Sequence, residues 1–326
     1  MKKLLRTIAF VMLSFASLAN ITTAQAQSYP SRPVMLVLGF APGGPSDVMA
    51  RIFAKKLEQV LGQPVIIENR AGAGGNVAAE HVARATPDGH TLLLANSGIL
   101  AANAALYKKI NFDPVKDFAP VTLVGAQANV LLVHPSLPAR TLAEFIAYAK
   151  ANPGKVSYSS GGNGTSPHLA AELLKAEAKI NLVHVAYRGT GPALQDLVAG
   201  HVQMGFSSVA AVVGHIQSGA LRALGVSALK RTALLPDIPT IAELGIPGYE
   251  ATAWHALVTT AGTPKDAIAA LHNGMMTTLN DPETRGALIK LGVDVGGNTP
   301  EEMAAYIKSE IPKWAGIIKA SGTKIE

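Results

Sequence analysis

Short apolar runs of strand character alternate with helical patterns along nearly the whole chain, and this alternation restricts the fold more than any other feature. The runs are VMLVLGF, PVIIEN, TLLLAN, FAPVTLVG, NVLLVHP, VSYSS, LVHVAY, VQMGFSS, LRALGVSA and HALVTTA. Strands that are apolar on both faces are typical of sheets that helices cover on both sides. The sequence therefore predicts an α/β fold with mostly parallel sheets.

Helical patterns separate several of these runs and dominate the C-terminal part. They span 46–61, 75–85, 141–151, 167–178, 190–199, 209–218, 239–244, 264–280, 281–291 and 299–321, and the last three follow Gly262 with no strand between them. Ten strands are too many for one small sheet. We therefore expect two sheets, each in its own domain.

Two extended runs without an intervening helix mark the expected domain boundaries. FAPVTLVGAQANVLLVHPSLP and GYEATAWHALVTTAGTP each look like a crossing from one sheet to the other. We therefore expect domain 1 to comprise 27–127 and 252–326, and domain 2 to comprise 128–251. The C-terminal helices should pack back on domain 1.

The first 26 residues have the features of a secretory signal peptide. Three basic residues and no acid precede an apolar stretch from Ile8 to Ala19, and Ala24-Gln25-Ala26 forms a small-residue end. The apolar stretch is shorter than the ~20 residues that a membrane span needs. We expect export, with cleavage after Ala26.

Charge and cysteine content argue against several kinds of partner and chemistry. The chain has 28 basic and 22 acidic residues, and removal of the signal peptide lowers the net charge from +6 to +3. The basic residues are scattered, so nucleic acid is not an expected partner. There is no cysteine, which excludes disulfides and a cysteine nucleophile.

The stretch FAPGGPSDV, 40–48, joins the first strand to the first helix through two glycines, Gly43 and Gly44. Glycine lets backbone N–H groups approach a ligand closely. A helix N-terminus adds unpaired N–H donors and a partial positive charge. This combination is typical of an anion site, although an ordinary strand–helix turn has the same sequence features.

Three more strands end at loops that carry glycine or hydroxyl side chains. These strand ends contribute Ser97 after TLLLAN, Ser160 as the last residue of VSYSS with Gly161, Gly162 and Thr165 after it, and Thr190 and Gly191 after LVHVAY. In open α/β sheets, ligands bind at the carboxyl ends of strands. Because the four loops fall two in each expected domain, we predict a ligand cleft between the domains.

Other residues near these loops have two interpretations each. His168 can line the cleft or simply begin a helix, and Arg188 can clamp a carboxylate or form a structural salt bridge. We interpret ENRAGAGGN, 68–76, as a structural turn. Walker, GxGxxG, GxSxG and HExxH motifs are absent from the sequence, so we expect no catalytic residue, no metal site and no cofactor.

Four stretches resemble the tripartite tricarboxylate transporter receptors, also called Bug proteins. They are GFAPGGPSDVMAR, LGQPVIIENRAGAGGNVAAEHVARATPDGHTLLLAN, VAYRGTGPALQDLVAGHVQMGF and ALLPDIPTIAELGIPGYE. The resemblance implies a periplasmic solute-binding protein of two-domain type II (Venus-flytrap) architecture, with the cleft between two mixed, mostly parallel sheets. It implies a protein that is not an enzyme, closes on a small carboxylate and delivers it to a membrane permease.

The resemblance also implies where the ligand binds. Such receptors hold one carboxylate with main-chain donors from both domains, and the matching positions are Gly43, Gly44, Asp47, Ser160, Gly161, Gly162, Thr165, Thr190 and Gly191. Many relatives carry an aspartate where this chain has Ser207. Its absence disfavours a ligand with an ammonium group, and the low aromatic content of 5% favours an aliphatic acid.

Two other functions stay open at this point. A receptor of this kind can instead present its closed form to a membrane histidine kinase, and the sequence does not separate sensing from transport. A secreted hydrolase on the same plan would need a nucleophile–base pair, which the cleft motifs do not contain. We expect a monomer.

Overall fold

The computed structural model describes residues 29–232 and 234–321. Strands and helices alternate over most of that length, as the sequence predicts. The expected signal peptide and its cleavage site after Ala26 lie outside the described residues. Within the described part, every helix lacks the length or the apolar character that a membrane crossing needs.

The ten predicted strands are present, and one more follows near the C-terminus. The strands are β1 (Val34–Leu38), β2 (Val65–Asn69), β3 (Thr91–Asn96), β4 (Phe118–Gln127), β5 (Asn129–Val133), β6 (Ser157–Ser160), β7 (Val183–Ala186), β8 (Met204–Ser208), β9 (Arg222–Val226), β10 (Ala253–Thr260) and β11 (Val293–Val295).

The helices mostly match the predicted ranges. They are α1 (Pro45–Leu61), α2 (Asn76–Ala83), α3 (Asn103–Leu106), α4 (Leu142–Ala151), α5 (Ser166–Ala178), α6 (Thr190–Val198), α7 (Val209–Gln217), α8 (Lys265–Asn280), α9 (Pro282–Lys290) and α10 (Pro300–Ser321). A wider π-helical turn, Gly98–Ala102, leads directly into α3. This helical segment after β3 was not predicted.

The strands form two mixed sheets. The first has the order β11-β4-β10-β3-β1-β2 and the second has the order β7-β6-β8-β5-β9. In the described sheets, β1 to β4 point one way in the first and β6 to β9 point one way in the second. The strands β10, β11 and β5 oppose them. The predicted α/β fold with two mixed sheets is therefore confirmed.

The strands that cross between the sheets explain the mixed directions. Only Ala128 separates β4 from β5, yet β4 belongs to the first sheet and β5 to the second. β10 returns to the first sheet and lies between β3 and β4, antiparallel to both. Among the described strands, five neighbouring pairs are antiparallel and four are parallel, although most strands share one direction.

Two predictions about the second half of the chain are wrong. Residues 239–244 are not helical: Thr240 forms a β-bridge with Val226 of β9, and 241–244 form a turn. The Val226 N–H donates to Pro239 O at 3.0 Å, and Val226 O accepts the Ile241 N–H at 2.9 Å. The region after Gly262 is not purely helical, because β11 pairs with the end of β4.

The C-terminal helix α10 packs more widely than predicted. It contacts β4 and α3 beside the first sheet, and also α5 beside the second. Ile307 and Trp314 belong to the same buried cluster as Tyr158 of the second sheet. Glu310 Oε2 accepts from the indole nitrogens of Trp254 and Trp314 at 3.0 and 2.9 Å. The apolar core therefore runs continuously between the two sheets on this side of the molecule.

Candidate functional site

Asp47 holds the loop between β1 and α1 in place. Its Oδ2 accepts the Gly43 N–H at 3.0 Å and the Arg51 Nε–H at 2.8 Å, and its Oδ1 accepts from Asn69 Nδ2 at 3.1 Å. The hydrogen bond from Arg51 is the main reason why the pKa of this buried carboxyl falls to about 2. Asp47 therefore stays ionised and shapes the loop.

These bonds determine which donors the first loop can offer to a ligand. The Gly43 N–H is bonded to Asp47, and the Gly44 N–H faces Ala41 O at 3.4 Å. Pro45 begins α1 and has no N–H. The next two N–H groups of the helix have no carbonyl one turn back to bond, so they are the donors that remain for an anion.

Ser46, in the first turn of α1, contacts a histidine that is distant in sequence. Its Oγ lies 3.0 Å from His255 Nε2, and both residues are buried. Burial lowers the pKa of His255 to about 4, so the imidazole is neutral at pH 7. Because β10 pairs His255 with Asn96, the last residue of β3, the start of α1 and the end of β3 are adjacent.

Sequence reasoning did not identify this histidine. Its one local signal is a polar side chain at the beginning of the apolar run HALVTTA, 255–261. Histidine is often found both inside proteins and at the surface, so its presence at the start of a strand does not by itself indicate a functional site. Its contact with Ser46 depends on a pairing between residues 209 positions apart.

The segment after β3 reaches the loop 161–165, which follows β6 and is called the second loop below. A methyl group added to Gly98 would lie 3.0 Å from Gly164 O in that loop. Ser97 is buried, and its hydroxyl has no hydrogen-bond partner among the described residues. The close approach of Gly98 to Gly164 brings together the carboxyl ends of β3 and β6, which belong to different sheets.

The second loop is held by its own side chains and by a residue beneath it. Thr165 Oγ1 donates to Gly162 O at 2.7 Å, and Ser160 Oγ lies 3.2 Å from both the N and the O of Gly162. The Gly164 N–H donates to His168 Nδ1 at 3.1 Å. His168 is only 1% exposed and lies under the loop. These side chains shape the backbone of the loop.

The loop before α6 packs directly against the second loop. A methyl group on Gly161 would lie 2.9 Å from Thr190 Cγ2, so glycine allows this approach. Gly161, Thr190, Ser159 and Ser207 line a cavity of about 10 Å³ together with apolar side chains. That volume is close to the minimum that one water molecule needs. The hydroxyls of Thr190 and Ser207 make no hydrogen bond within the described part of the chain.

Arg188 lies in the loop before α6 and Gly191 lies in the first turn of that helix, and both are exposed. Arg188 makes no ion pair with any residue that the structure describes. The structural salt bridge considered for this arginine is therefore not formed there, and its guanidinium is available to solvent or to an anion.

Larger cavities on the surface lie away from these loops. One of about 260 Å³ between α1 and α9 is lined by Arg51, Lys56 and Asp281. Three of its five charged side chains are paired, because Lys56 Nζ lies 2.9 Å from Asp281 and Arg51 bonds to Asp47. We place the candidate site at the loops, where donors without partners converge. Among the described residues, no group of three or more His, Asp or Glu side chains is arranged to hold a metal ion.

Comparison with known proteins identifies relatives along nearly the whole chain. The chain is 39% identical to a UPF0065 protein from the tcbD-tcbE intergenic region of Pseudomonas sp. strain P51, over 94% of this chain and 91% of the relative. It is 36% identical to protein BugT of Bordetella pertussis, over 98% of this chain and 99% of the relative.

Solved structures with the same fold include three binding proteins. The periplasmic binding protein BugD is 35% identical with a TM-score of 0.79, and the match covers 91% of this chain and 100% of that chain. An R. palustris protein with adipate is 34% identical with a TM-score of 0.81, over 91% of this chain and 99% of that chain. MatC of Rhodopseudomonas palustris with bound malate is 35% identical with a TM-score of 0.79, over 89% of this chain and 100% of that chain. The family described as the tripartite tricarboxylate transporter family receptor matches residues 49–323. The predicted resemblance is thus confirmed: the chain belongs to the tripartite tricarboxylate transporter receptor family.

Proposed function

We propose that this protein is a periplasmic receptor that binds a small organic carboxylate between its two sheets and delivers it to a tripartite-type membrane permease. The observation that carries the proposal is the contact of Gly98 with Gly164. It joins loops at the carboxyl ends of strands from both sheets, where ligands bind in α/β folds. Two structural neighbours hold the dicarboxylates adipate and malate, which supports this ligand class.

The proposed domains are 27–127 with 252–326, and 128–251. Strand membership supports this division, because β1 to β4, β10 and β11 share one sheet and β5 to β9 share the other. Donors from both sheets would surround a bound anion, so that only the closed arrangement presents all of them. A ligand that binds the closed form better shifts the population towards it.

The hydrogen-bond donors at the candidate site are sufficient for micromolar affinity for a carboxylate. They include the hydroxyls of Ser97, Thr190 and Ser207, which have no partner among the described residues, and N–H groups at the starts of α1, α5 and α6. A micromolar Kd requires about −8 kcal/mol. Several charge-assisted hydrogen bonds of roughly 1.5–3 kcal/mol each would supply that after the ordering costs.

The electrostatics of the site support an acid without an ammonium group. Asp47, the acidic residue of the first loop, is already bonded to Arg51 and Asn69. The aspartate that many relatives carry is replaced here by Ser207, whose environment is a small cavity with no charged side chain. An ammonium buried at these loops would lack a partner, which costs several kcal/mol.

Hydrolysis is the less favoured alternative, although two serine–histidine pairs lie at the loops of the candidate site. Ser46 Oγ lies 3.0 Å from His255 Nε2, and Ser160 Oγ lies 2.7 Å from His184 Nε2. Burial lowers the pKa of both histidines to about 4. A base with so low a pKa has little driving force to accept a serine proton at pH 7.

The test is calorimetry of the mature protein with adipate, malate, citrate, succinate and aspartate. Succinate and aspartate form a matched pair, because they differ only by the ammonium group. We expect a dicarboxylate to bind and succinate to bind more tightly than aspartate. If aspartate binds more tightly, the proposed ligand class is wrong; if no carboxylate binds, the receptor function is wrong. Assaying uptake in cells that lack the permease would test transport against sensing.

A further inference from the structure

Two histidines lie stacked beneath the second loop. The rings of His168 on α5 and His184 on β7 are 4.4 Å apart between centroids and 27° from parallel. Tyr158 on β6 stacks on His184 at 4.7 Å and 16°. His184 was not identified from the sequence, where it is one polar residue in the run LVHVAY, 182–187.

Each histidine is connected to the backbone of the second loop. His168 Nδ1 accepts the Gly164 N–H at 3.1 Å. His184 Nε2 lies 2.7 Å from Ser160 Oγ, and that hydroxyl oxygen accepts the Gly162 N–H at 3.2 Å. The two rings therefore support both ends of the glycine segment, one directly and one through a serine.

The bond from Gly164 fixes the protonation state of His168. A backbone N–H can only donate, so Nδ1 must carry a lone pair and the ring must be neutral, with its proton on Nε2. If Nδ1 gained a proton, it would face the Gly164 N–H as a second donor and the bond would be lost. Burial is the main cause that lowers the pKa of His168 and of His184 to about 4.

Among the described residues, the charged and titratable groups that act on this pair are Tyr158 on β6 and Glu172 and Lys175 on α5. Glu172 accepts from Tyr158 Oη and from Lys175 Nζ, the latter at 2.7 Å. The carboxylate favours protonation of both histidines, whereas Lys175 disfavours it. These opposite charges partly offset each other, so burial dominates for both rings, and repulsion from His184 adds to it for His168.

The supported backbone is also the backbone that reaches the other sheet. Gly164 donates its N–H to His168, and its carbonyl oxygen faces Gly98 after β3. A change at the imidazole therefore acts on the residue that makes the contact between the sheets. A leucine or phenylalanine would fill the same buried volume without providing an acceptor for that N–H.

We propose that the stacked pair His168 and His184 positions the second loop for ligand binding, and that protonation of the pair releases the loop in acid. The two histidines are positioning residues. The ligand part of this inference rests on the proposed carboxylate-binding function, and the loop part does not. At neutral pH the pair holds the loop in its binding conformation, and acid lowers the affinity beyond the effect of protonating the ligand itself.

Three variants separate positioning from simple packing. His168→Asn places an amide oxygen near the position of Nδ1, and His184→Gln places an amide near the position of Nε2, so both keep hydrogen bonding without titrating. His168→Leu removes the acceptor. The double variant H168N/H184Q is the matched control, because it should hold the loop at neutral pH and fail to respond to acid.

The first measurement needs no ligand. Amide hydrogen exchange of peptides covering 159–169 is compared at pH 7 and pH 4 after correction for intrinsic exchange, with peptides of α10 as an internal reference for global unfolding. We expect wild-type protection of the second loop to fall at least tenfold at pH 4, the double variant to change less than twofold, and His168→Leu to be unprotected at both values.

The second measurement is the Kd for adipate and malate between pH 7.5 and 4.5, corrected for ligand ionisation. We expect acid to weaken binding by wild type more than binding by the double variant. Equal pH profiles of exchange in wild type and double variant would overturn the acid release. Wild-type protection in His168→Leu would overturn the positioning role. Normal exchange behaviour with no binding of any of the five acids in the calorimetry above would instead refute the receptor function.

Discussion

Replacing Gly98 with alanine tests whether the contact between the two sheets controls ligand binding. Gly98 lies in a helical turn, where alanine adopts the backbone without strain. The added methyl would lie 3.0 Å from Gly164 O and 3.2 Å from Asn96 Oδ1, whereas ordinary contacts begin near 3.4 Å. The neighbouring atoms must move by about 0.4 Å, and the simplest relief is to separate the two loops.

The magnitude follows from two opposing effects. Overpacking against Gly164 O costs about 1–3 kcal/mol, and it applies only when the loops are in contact, whereas the smaller overlap with Asn96 Oδ1 is the same in both arrangements. Alanine in place of glycine stabilises a helix by about 0.5–1 kcal/mol, whether or not the two loops are in contact. The stability of the unliganded protein should therefore change little, while the Kd should rise about 5-fold to 150-fold, since 1.4 kcal/mol is a factor of ten.

The assay is calorimetry with adipate and malate, together with thermal unfolding of the unliganded protein. Gly286→Ala is the matched control, because Gly286 is also helical, lies in α9 and has no atom within 4 Å of its added methyl. The control should bind with an unchanged Kd. If Gly98→Ala binds within twofold of wild type, the contact with Gly164 does not limit closure and the reasoning fails.

Three further predictions concern the first loop and the N-terminus. Asp47→Asn should lower the free energy of unfolding in urea by about 1–2 kcal/mol at pH 7, a value reduced for screening because the Arg51 side chain is 57% exposed. Since the folded pKa of Asp47 is about 2, this difference should shrink as the pH falls from about 4 towards 2; a difference that stays constant would contradict the assigned cause. Gly43→Ala and Gly219→Ala both place a methyl in open space at a positive φ, +80° and +74°, so both should cost about 1–2 kcal/mol of stability. Only Gly43→Ala should also weaken carboxylate binding, because a strained turn at Gly43 displaces the N–H groups of Ser46 and Asp47 that follow it. N-terminal sequencing of periplasmic protein should begin at Gln27, and a retained signal peptide would refute the predicted cleavage.

Local sequence patterns are sufficient to predict the class of fold and the strand ends at which the candidate loops lie. Long apolar runs such as TLLLAN, 91–96, and glycine pairs such as Gly43-Gly44 are local features, and local features need no knowledge of the partner strand. The strand β11 was missed because a three-residue stretch, Val293–Val295, carries no periodicity of its own. It is a strand only because the end of β4 is there to pair with it.

The same limit applies to the loops. Sequence reasoning placed Gly43, Gly162 and Thr165 at the ends of strands, where backbone donors reach an anion. It did not show that the Gly43 N–H already bonds to Asp47, or that the Thr165 hydroxyl already bonds to Gly162 O. These bonds join residues within four positions, yet the turn geometry that allows them depends on how the strand and helix pack.

Long-range packing sets which groups support the loops and which remain for a ligand. His255 Nε2 contacts Ser46 Oγ, although the two residues are 209 positions apart in the sequence. His184 stacks on His168 because β7 lies beside β6, under the start of α5. A hydrogen bond has a strict geometry but no signature in the linear sequence when its partners come from distant elements. The sequence therefore specified where donors gather, and the packing of the two sheets specified which of those donors are still free.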